Sequence, residues 1–301
     1  MISSSGRYRG RFAPSPTGDL HFGSLVAAVG SWLRARAERG EWVVRIEDLD
    51  PPREVAGASR RILDTLAAFG MESDEAVLYQ SGRADAYEAD VARLLAAGEA
   101  FECRCSRADL ADGLHRACVA RGRDGTRAAA VRVRAVDREI CFDDLLQGRR
   151  CQNLARDVGD FVVRRVDGYH AYQLAVVVDD AAQRITEVVR GADLLDSTAR
   201  QIHLQRLLGL PTPAYAHLPL ALDAERRKLG KQLASAPVDP RDPMPALRRA
   251  LSFLGVAPDE AAGASTPAAA LARIATGFSL DRVPRADRVV DAPERGGGPE
   301  R

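Results

Sequence analysis

The chain between His21 and Gly40 repeats apolar side chains at every third or fourth position, as a helix with one buried face does. The repeating positions are Leu25, Val26, Val29, Trp32 and Leu33. Before this helix, residues 10–18 predict a short strand that ends in a rigid loop, because their two prolines cannot continue a ladder of backbone hydrogen bonds. After it, residues 42–46 predict a buried strand, and the acidic run 47–50 follows at once. Strand, loop, helix and strand in this order predict a βαβ unit with a right-handed crossover and a parallel sheet.

The rest of the chain continues to mix helical and extended patterns. Helices are predicted over residues 54–69, 83–97, 193–208, 240–254 and 266–275. Strands are predicted over 160–166 and 185–190, and a buried apolar segment over 172–178. Three of the five cysteines fall in 100–122, and 126–148 predicts short strands and turns, so we expect an insertion with its own small core. The segment from Ala292 is rich in glycine and poor in apolar residues, and we expect it to be disordered.

Composition places this 301-residue chain among globular proteins, with 46% hydrophobic and 28% charged residues. No apolar run approaches the roughly 20 residues of a membrane span, and residues 1–10 lack a signal-peptide core, so we expect a cytoplasmic protein without membrane contact. A net charge of +1 gives no global attraction to nucleic acid. Five irregularly spaced cysteines argue against a secreted disulfide framework and favour metal ligands or buried thiols.

Lysine is rare in this chain. Of 43 basic residues only Lys228 and Lys231 are lysine, and both lie in the basic loop 226–232. Arginine is a broad planar cation and lysine a compact ammonium on a flexible stem, so a site that keeps lysine here needs the compact charge. The alternative is two solvated surface lysines.

Three segments together carry a family resemblance. The run 11–24 (RFAPSPTGDLHFGS), the strand end 45–50 (RIEDLD) and the loop 228–232 (KLGKQ) resemble, in this order, the motifs of class I glutamyl- and glutaminyl-tRNA synthetases. The likeness runs from about residue 7 to 233. It implies an α/β fold with a Rossmann-like parallel-sheet catalytic domain, a zinc-type α/β insertion and a short helical C-terminal region.

The resemblance implies an ATP site on the first loop, the start of the first helix and the lysine loop. A helix N-terminus suits a phosphate because its N–H groups are unpaired; the alternative is a proline-rich turn before an ordinary amphipathic helix. The implied catalytic residues are His21, Lys228 and Lys231, with Mg²⁺ on the nucleotide. The implied ATP-binding residues are Pro14, His21, Gly23, Ser24, Lys228 and Lys231. Gly230 stands where the family has serine, which loosens the loop and predicts weakened activity.

A pocket for L-glutamate is implied by the same resemblance. Its residues are Arg11, Ala13, Ser15, Glu47, Tyr172 and Arg190. An acidic amino acid has two carboxylates and one ammonium, so it needs guanidinium partners and one carboxylate. Glu47 would meet the ammonium, and one of the arginines would hold the side-chain carboxylate. The alternatives are a surface charge at Arg190 and a core aromatic at Tyr172.

Three thiols and one imidazole within sixteen residues suit a tetrahedral structural Zn²⁺ site formed by Cys103, Cys105, His115 and Cys118. The alternative is a group of buried small side chains with a stray histidine. Related short synthetase paralogues carry a tyrosine where this chain has Leu114, so the three cysteines are better supported than His115. The remaining cysteines and histidines are expected in structural roles: Cys141 and Cys151 in the core, and His170, His203 and His217 as satisfied side chains.

We expect five regions: a first catalytic half over 7–97, a zinc-type acceptor-end insertion over 98–159, a second catalytic half with the lysine loop over 160–240, a helical region over 241–290 and a tail over 291–301. No large anticodon-binding domain fits after the lysine loop. A short region after the lysine loop, combined with a zinc-type insertion, resembles the organisation of the glutamyl-Q tRNA(Asp) synthetase family.

That resemblance implies tRNA-independent activation of glutamate with ATP, and its transfer to queuosine in the anticodon of tRNA(Asp), by a monomer. The arginine-rich stretches 121–134 and 149–165 could contact phosphates or could be solvated faces. Two further alternatives are a minimal glutamyl-tRNA synthetase that charges the acceptor end and a non-catalytic synthetase-like tRNA-binding regulator.

Overall fold

The protein is described by a computed structural model that covers residues 7–110, 113–118, 128–227 and 237–290. The strands are β1 Arg9–Phe12, β2 Glu41–Ile46, β3 Leu78–Tyr79, β4 Ala100–Cys103, β5 Ala130–Val133, β6 Glu139–Asp144, β7 Gly148–Asn153, β8 Phe161–Arg164, β9 Glu187–Gly191, β10 Ala214–Leu218, β11 Ala221–Leu222 and β12 Arg288–Val289. The helices are α1 Phe22–Ala37, α2 Ala58–Ala68, α3 Ala84–Ala96, α4 Leu154–Asp157, α5 Tyr172–Ala182, α6 Thr198–Leu208, α7 Pro243–Phe253 and α8 Pro267–Ala275.

The predicted βαβ unit is confirmed. Strand β1 pairs in parallel with β2, and β2 pairs in parallel with β3, while α1 connects the first two strands. The turn before β2 needs glycine, because a Cβ on Gly40 would collide with the carbonyl oxygen of Tyr8. That same oxygen accepts a hydrogen bond from the backbone N–H of Glu41 at 3.0 Å, which starts the β1–β2 register.

A second parallel set adjoins the first. Strands β9, β10 and β6 run parallel, and β7 closes the sheet as an antiparallel neighbour of β6. The backbone N–H of Thr186 donates to the carbonyl oxygen of Arg9 at 2.9 Å, which places the start of β9 beside β1. The carboxyl ends of β1, β2, β9 and β10 therefore open toward one region, where ligands bind in open parallel sheets.

The segment between α3 and α5 does not form a core of its own, so that expectation is wrong. Its strands β4, β5 and β8 form an antiparallel sheet. Val131, Val133 and Phe161 of this sheet pack in the same apolar cluster as Leu174 of α5 and Ile202 of α6. The insertion is held by burial against the catalytic helices, not by a separate interior.

The expectation that Cys141 and Cys151 are core residues is also wrong. They are register partners on the antiparallel pair β6–β7 and form a disulfide bond. Cys151 is exposed and Cys141 is half-buried. The other cysteines, at 103, 105 and 118, are free thiols.

Most other predicted elements are confirmed within a few residues. The predicted helix 54–69 begins only at Ala58, after a 3₁₀ turn Pro51–Arg53, and the buried segment 172–178 is the first part of helix α5. Helices α7 and α8 contribute apolar residues to the cluster around α1. Within the described ranges no helix is both long and apolar enough to cross a membrane.

Candidate active site

A cavity of about 300 Å³ lies at the carboxyl ends of β1, β2 and β9. Every pocket residue predicted from the sequence lines it, except those of the lysine loop. These lining residues are Arg11, Ala13, Pro14, Ser15, His21, Gly23, Ser24, Glu47, Tyr172 and Arg190. Lys228, Gly230 and Lys231 lie outside the described residues. The structure thus brings together three segments that are far apart in the chain.

The loop after β1 is fixed by backbone hydrogen bonds on both sides of its prolines. The carbonyl oxygen of Pro14 accepts from the N–H of Glu47 at 2.9 Å, and that of Pro16 accepts from the N–H of Val55 at 3.0 Å. This loop leads to His21, the N-cap of α1, whose Nδ1 accepts from the backbone N–H of Ser24 at 3.3 Å. The start of α1, with its unpaired N–H groups, therefore faces the cavity.

The chain on the far side of the lysine loop returns to the same place. Pro237, the first residue described after it, forms an isolated backbone bridge with His21. The N–H of Val238 donates to the carbonyl oxygen of Leu20 at 2.9 Å. On the near side, Ala221 of β11 lines the cavity seven residues before Lys228. Both flanks of the lysine loop are therefore attached beside the start of α1.

A buried charge network supports the floor of the cavity. Asp180 on α5 lies between two guanidinium groups: its Oδ1 is 3.3 Å from Nε of Arg11 and 2.8 Å from Nη1 of Arg45. Arg45 also donates to Oε1 of Glu47 at 3.4 Å. Burial alone would raise the pKa of Asp180, but the two guanidinium groups outweigh it and hold the pKa below its usual range.

Glu47 is a buried carboxylate in the cavity lining. Burial raises its pKa above the ordinary value, although the charges of Arg45 and Arg11 act in the opposite direction. A buried carboxylate with a raised pKa is stabilised by a further cation, such as an ammonium group. The position of Glu47 therefore suits an amine ligand.

Arg11 and Arg190 differ in how many of their nitrogens are hydrogen-bonded within the protein. In the described chain, the guanidinium of Arg11 makes one hydrogen bond, from Nε to Asp180, which leaves both terminal nitrogens available at the cavity. Arg190 is 4% exposed and uses all its nitrogens on uncharged acceptors. These acceptors are Nε2 of His217 at 3.0 Å, Oε1 of Gln201 at 2.8 Å, the hydroxyl of Thr198 at 2.9 Å, the carbonyl of Leu194 at 3.3 Å and the hydroxyl of Tyr172 at 3.4 Å. The alternative of a surface charge at Arg190 is wrong.

The predicted metal ligands lie together at one end of the insertion. The ligand atoms of Cys103, Cys105, His115 and Cys118 are all within 4.8 Å of one another. Sγ of Cys105 is 3.9 Å from Sγ of Cys118, and Sγ of Cys103 is 3.3 Å from Nε2 of His115. The edges of a tetrahedral zinc site with three sulfurs and one nitrogen are roughly 3.5 to 3.8 Å, so these residues fit Zn²⁺.

The imidazole of this cluster is oriented from behind. Nδ1 of His115 is 2.9 Å from Oδ2 of Asp160, and Oδ1 of Asp160 accepts from the N–H of Ala135 at 2.8 Å. The backbone N–H of Asp160 also donates to the carbonyl oxygen of His115 at 2.7 Å. A carboxylate on Nδ1 leaves Nε2 as the ligand atom, which is the usual support of a metal-binding histidine.

A wider cleft of about 880 Å³ lies beside the metal cluster, with Cys105 in its lining. Arginines dominate its charged lining: Arg53, Arg104, Arg132 and Arg165, against the carboxylates Asp50 and Asp167. A smaller space between this cleft and the cavity shares Tyr172 and Glu47 with the cavity. Tyr169 and Val166 are exposed on the turn after β8. The cleft has the positive charge that a phosphate backbone needs.

Several residues of the site were missed by sequence reasoning. Asp180 is one of two acids that interrupt the apolar run of α5, and an acid in a buried segment is the signal that could have found it. The sequence predicts His217 as a satisfied structural side chain. It is satisfied, but by Arg190 and by Asp144 at 2.5 Å. Gln201 gave no signal in the sequence.

The chain is similar to known tRNA synthetases in sequence and in structure. The family model for class I tRNA synthetases (E and Q), catalytic domain, matches residues 7–124 and 114–262. A protein from Xanthomonas campestris named glutamyl-Q tRNA(Asp) synthetase is 57% identical over 298 residues, which cover 96% of this chain and 99% of that protein. One of the same name from Burkholderia mallei is 55% identical over 283 residues, 89% of this chain and 95% of that protein. The crystal structure of the glutamate-tRNA synthetase from Elizabethkingia anophelis superposes with a TM-score of 0.78 at 25% identity, over 95% of this chain and 68% of that one.

Proposed function

Since the chain belongs to the class I tRNA synthetases of the glutamate and glutamine type, and within them to the glutamyl-Q tRNA(Asp) synthetase family, we propose that it activates glutamate with ATP and transfers it to queuosine in tRNA(Asp). One observation carries the proposal. The guanidinium groups of Arg11 and Arg190 and the buried carboxylate of Glu47, the partners that an acidic amino acid needs, line one cavity beside the N-cap His21.

The arrangement of charges supports glutamate as the amino acid. Arg11 offers two terminal nitrogens, the fork that holds a carboxylate with two parallel hydrogen bonds. We propose that this fork binds the side-chain carboxylate and that Glu47 binds the ammonium. Arg190 and the hydroxyl of Tyr172 then face the second carboxylate. Glutamine lacks the negative charge at its side chain and would leave the terminal nitrogens of Arg11 without a charged partner.

Activation joins the α-carboxylate of glutamate to the α-phosphorus of ATP. An oxygen of the carboxylate forms the new bond to phosphorus, and the bond to the bridging oxygen of pyrophosphate breaks. Negative charge increases on the phosphates, so positive groups positioned around them lower the barrier. His21 and the N–H groups at the start of α1 would hold phosphate oxygens, and Lys231, assisted by Lys228, would neutralise the leaving group. Pro14, Gly23 and Ser24 would line the nucleotide, which carries Mg²⁺.

Transfer uses the adenylate made in the first step. A hydroxyl on the cyclopentene ring of queuosine attacks the activated carbonyl, an ester bond forms, AMP leaves with the bonding pair, and the hydroxyl proton passes to the phosphate of the leaving AMP. The cleft lined by Arg53, Arg104 and Arg165 supports this step, because the smaller space beside it leads to the cavity and its arginines carry the charge that phosphates require. Among the described residues of the stretches 121–134 and 149–165, Arg132 and Arg165 line this cleft.

Zn²⁺ is proposed at the cysteine cluster in a structural role. Cys103, Cys105, His115 and Cys118 would hold it with four ligands and no open position, which supplies folding energy and no chemistry. The cluster lies at the edge of β4, next to the arginine cleft, because Cys105 belongs to both. The metal would therefore fix the wall of the cleft.

Two assays test the proposed function. Glutamate-dependent exchange between ATP and pyrophosphate is expected in the absence of tRNA. Labelled glutamate is then expected on tRNA(Asp) that contains queuosine and not on tRNA(Asp) that lacks it. Exchange that needs tRNA, with label on the terminal ribose, would identify a minimal glutamyl-tRNA synthetase. The absence of both exchange and labelling would identify a non-catalytic tRNA-binding protein.

A further inference from the structure

Behind Arg190 lies a chain of three buried polar side chains from three adjacent parallel strands. Arg190 is on β9, His217 on β10 and Asp144 at the end of β6, and His217 and Arg190 are register partners. Nε of Arg190 is 3.0 Å from Nε2 of His217, and Nδ1 of His217 is 2.5 Å from Oδ2 of Asp144. The side chains of His217 and Asp144 are fully buried. Of these three residues, Arg190 lines the cavity, and His217 and Asp144 lie behind it.

The partners settle the tautomer of His217. A guanidinium nitrogen donates hydrogen bonds and cannot accept them. Nε2 of His217 must therefore carry a lone pair, and Nδ1 must carry the proton that is donated to the carboxylate of Asp144. The hydroxyl of Thr198 lies 3.3 Å from the same Nε2 and accepts from Nη2 of Arg190, so it belongs to the same network. His217 is thus a neutral imidazole held in one orientation.

A neutral acceptor has a consequence for the charge of Arg190. A carboxylate in direct contact would offset part of the positive charge of the guanidinium. Among the described residues, no carboxylate lies within 4.0 Å of Arg190, in contrast to Arg11 and Arg45, which both contact Asp180. Asp144 does not contact Arg190 directly, because the ring of His217 lies between them. Arg190 is therefore fixed in direction, and its two longest hydrogen bonds, to Tyr172 at 3.4 Å and Leu194 at 3.3 Å, go to residues of the cavity lining and are the ones that a substrate carboxylate would replace.

We propose that His217 and Asp144 are positioning residues, which hold the guanidinium of Arg190 in the orientation that receives a substrate carboxylate. This inference rests on the proposed function, since it requires an acidic amino acid in the cavity. The roles of the two residues differ. Asp144 also accepts from the backbone N–H groups of His217, Leu146 and Gln147, so its removal would disturb the end of β6 as well. His217 makes its side-chain bonds only within this network and is the cleaner site to change.

Burial supports the neutral form of His217. It lowers the pKa of the imidazole, the charges of Arg190 and Arg11 act in the same direction, and Asp144 opposes them. The ring of Tyr215 stacks on the ring of His217 at 6.2 Å. Burial raises the pKa of the Tyr215 phenol to about 12, so this phenol is uncharged at neutral pH. The imidazole therefore remains the acceptor that Arg190 needs at neutral pH.

The test compares His217→Leu, which removes the acceptor, with His217→Gln, whose amide oxygen can still accept from Nε. In glutamate-dependent ATP–pyrophosphate exchange without tRNA, His217→Leu is expected to raise KM for glutamate roughly 10- to 100-fold, the size of a lost hydrogen bond to a charged group. KM for ATP is expected to stay unchanged and kcat to change less. His217→Gln is expected to recover most of the loss. A purely structural role would lower the active fraction, and hence kcat, in both variants alike.

The matched control is His203→Leu. His203 is equally buried and bonds the carbonyl oxygen of Arg134 at 2.9 Å, away from the cavity, so its loss is expected to leave KM for glutamate unchanged. An unchanged KM in His217→Leu, with active wild-type protein, would overturn the positioning role alone. A wild-type protein without glutamate-dependent exchange would overturn it together with the proposed function.

A spectroscopic measurement covers the case in which His217→Leu does not fold. The ¹⁵N shifts of His217 in the wild-type chain at pH 7.5 are expected to show a protonated Nδ1 and an unprotonated Nε2. A proton on Nε2, in the neutral or the cationic ring, would overturn the proposal, because that nitrogen could not then accept from Arg190.

Discussion

Asp180 contacts Arg11 through a single atom pair, Oδ1 to Nε at 3.3 Å, and so orients the guanidinium without covering its terminal nitrogens. The same carboxylate oxygen also meets Arg45, which divides its charge between two cations. Arg11 is thereby held in place from behind and keeps its fork for the cavity. This geometry supports the proposal that Arg11 is the arginine that binds the side-chain carboxylate of glutamate.

We therefore expect Arg11→Gln to raise KM for glutamate in pyrophosphate exchange by roughly 10- to 100-fold, since charge-assisted hydrogen bonds to the substrate are lost. KM for ATP is expected to remain near the wild-type value. Arg9→Gln is the control, because Arg9 lies on the same strand and pairs with Glu41 and Glu75 outside the cavity. Equal losses in the two variants would show that Arg11 acts through the fold and not through the substrate.

Lys231→Ala is expected to slow glutamyl-adenylate formation by about 100- to 1,000-fold, the usual effect of removing one group that stabilises transition-state charge. KM for glutamate is expected to change little, because the ammonium would act on the leaving pyrophosphate. Arg227→Ala removes a nearby positive charge that is already paired with Asp223 and Glu225, and it serves as the control. Adenylate formation that survives in Lys231→Ala would remove the lysine loop from the mechanism.

Sequence reasoning found the parts of the site that are local in the chain. The strand, loop and helix start that hold Arg11 and His21 follow from prolines, glycine and apolar spacing, which act within a few residues. Asp180, His217 and Asp144 were missed because their roles depend on which strands become neighbours and in what register. A one-residue change in that register would turn His217 away from Arg190. Local pattern carries no information on such pairs.

The cysteines also divide into those whose role follows from local spacing and those whose role depends on strand register. Spacing alone grouped Cys103, Cys105 and Cys118, because ligands of one metal come from a short stretch of chain. Cys141 and Cys151 are ten residues apart, and their bond depends on the register of the hairpin between them. No local pattern shows that register, and the prediction of core positions for this pair is wrong.

The arginine cleft is expected to affect transfer and not activation. Arg104→Ala should raise KM for queuosine-containing tRNA(Asp) several-fold and reduce the salt dependence of binding by about one ion, as the loss of one phosphate contact does. Pyrophosphate exchange without tRNA should retain the wild-type rate. The control is Arg60→Ala, an exposed arginine on α2 that pairs with Asp64. A loss of exchange in Arg104→Ala would place the residue in the activation step instead.

One Zn²⁺ per chain is expected by mass spectrometry of the purified protein, and its removal by a chelator is expected to lower Tm. Cys105→Ser should abolish metal retention, and Asp160→Asn should weaken it about 10- to 100-fold, since the carboxylate orients His115. The double variant Cys141→Ser, Cys151→Ser should keep the metal, because both residues lie in the disulfide. Metal that persists in Cys105→Ser would exclude this cluster as the site.

The stability of the chain is expected to fall as the pH drops below about 6.5, and His203 is one measurable cause. Burial lowers the pKa of His203 below its ordinary value, although the carbonyl of Arg134 accepts a hydrogen bond from it and opposes the shift. The unfolded chain therefore takes up a proton near pH 6.5 that the folded chain refuses until a lower pH. In that window the unfolded state binds more protons, so the free energy of unfolding decreases by up to about 1.4 kcal/mol per pH unit for this group. Urea unfolding of wild type and His203→Gln at pH 7.5, 6.5 and 5.5 measures the difference, and the variant should lose less stability on acidification. Parallel loss in the two proteins would mean that folding does not lower the pKa of His203.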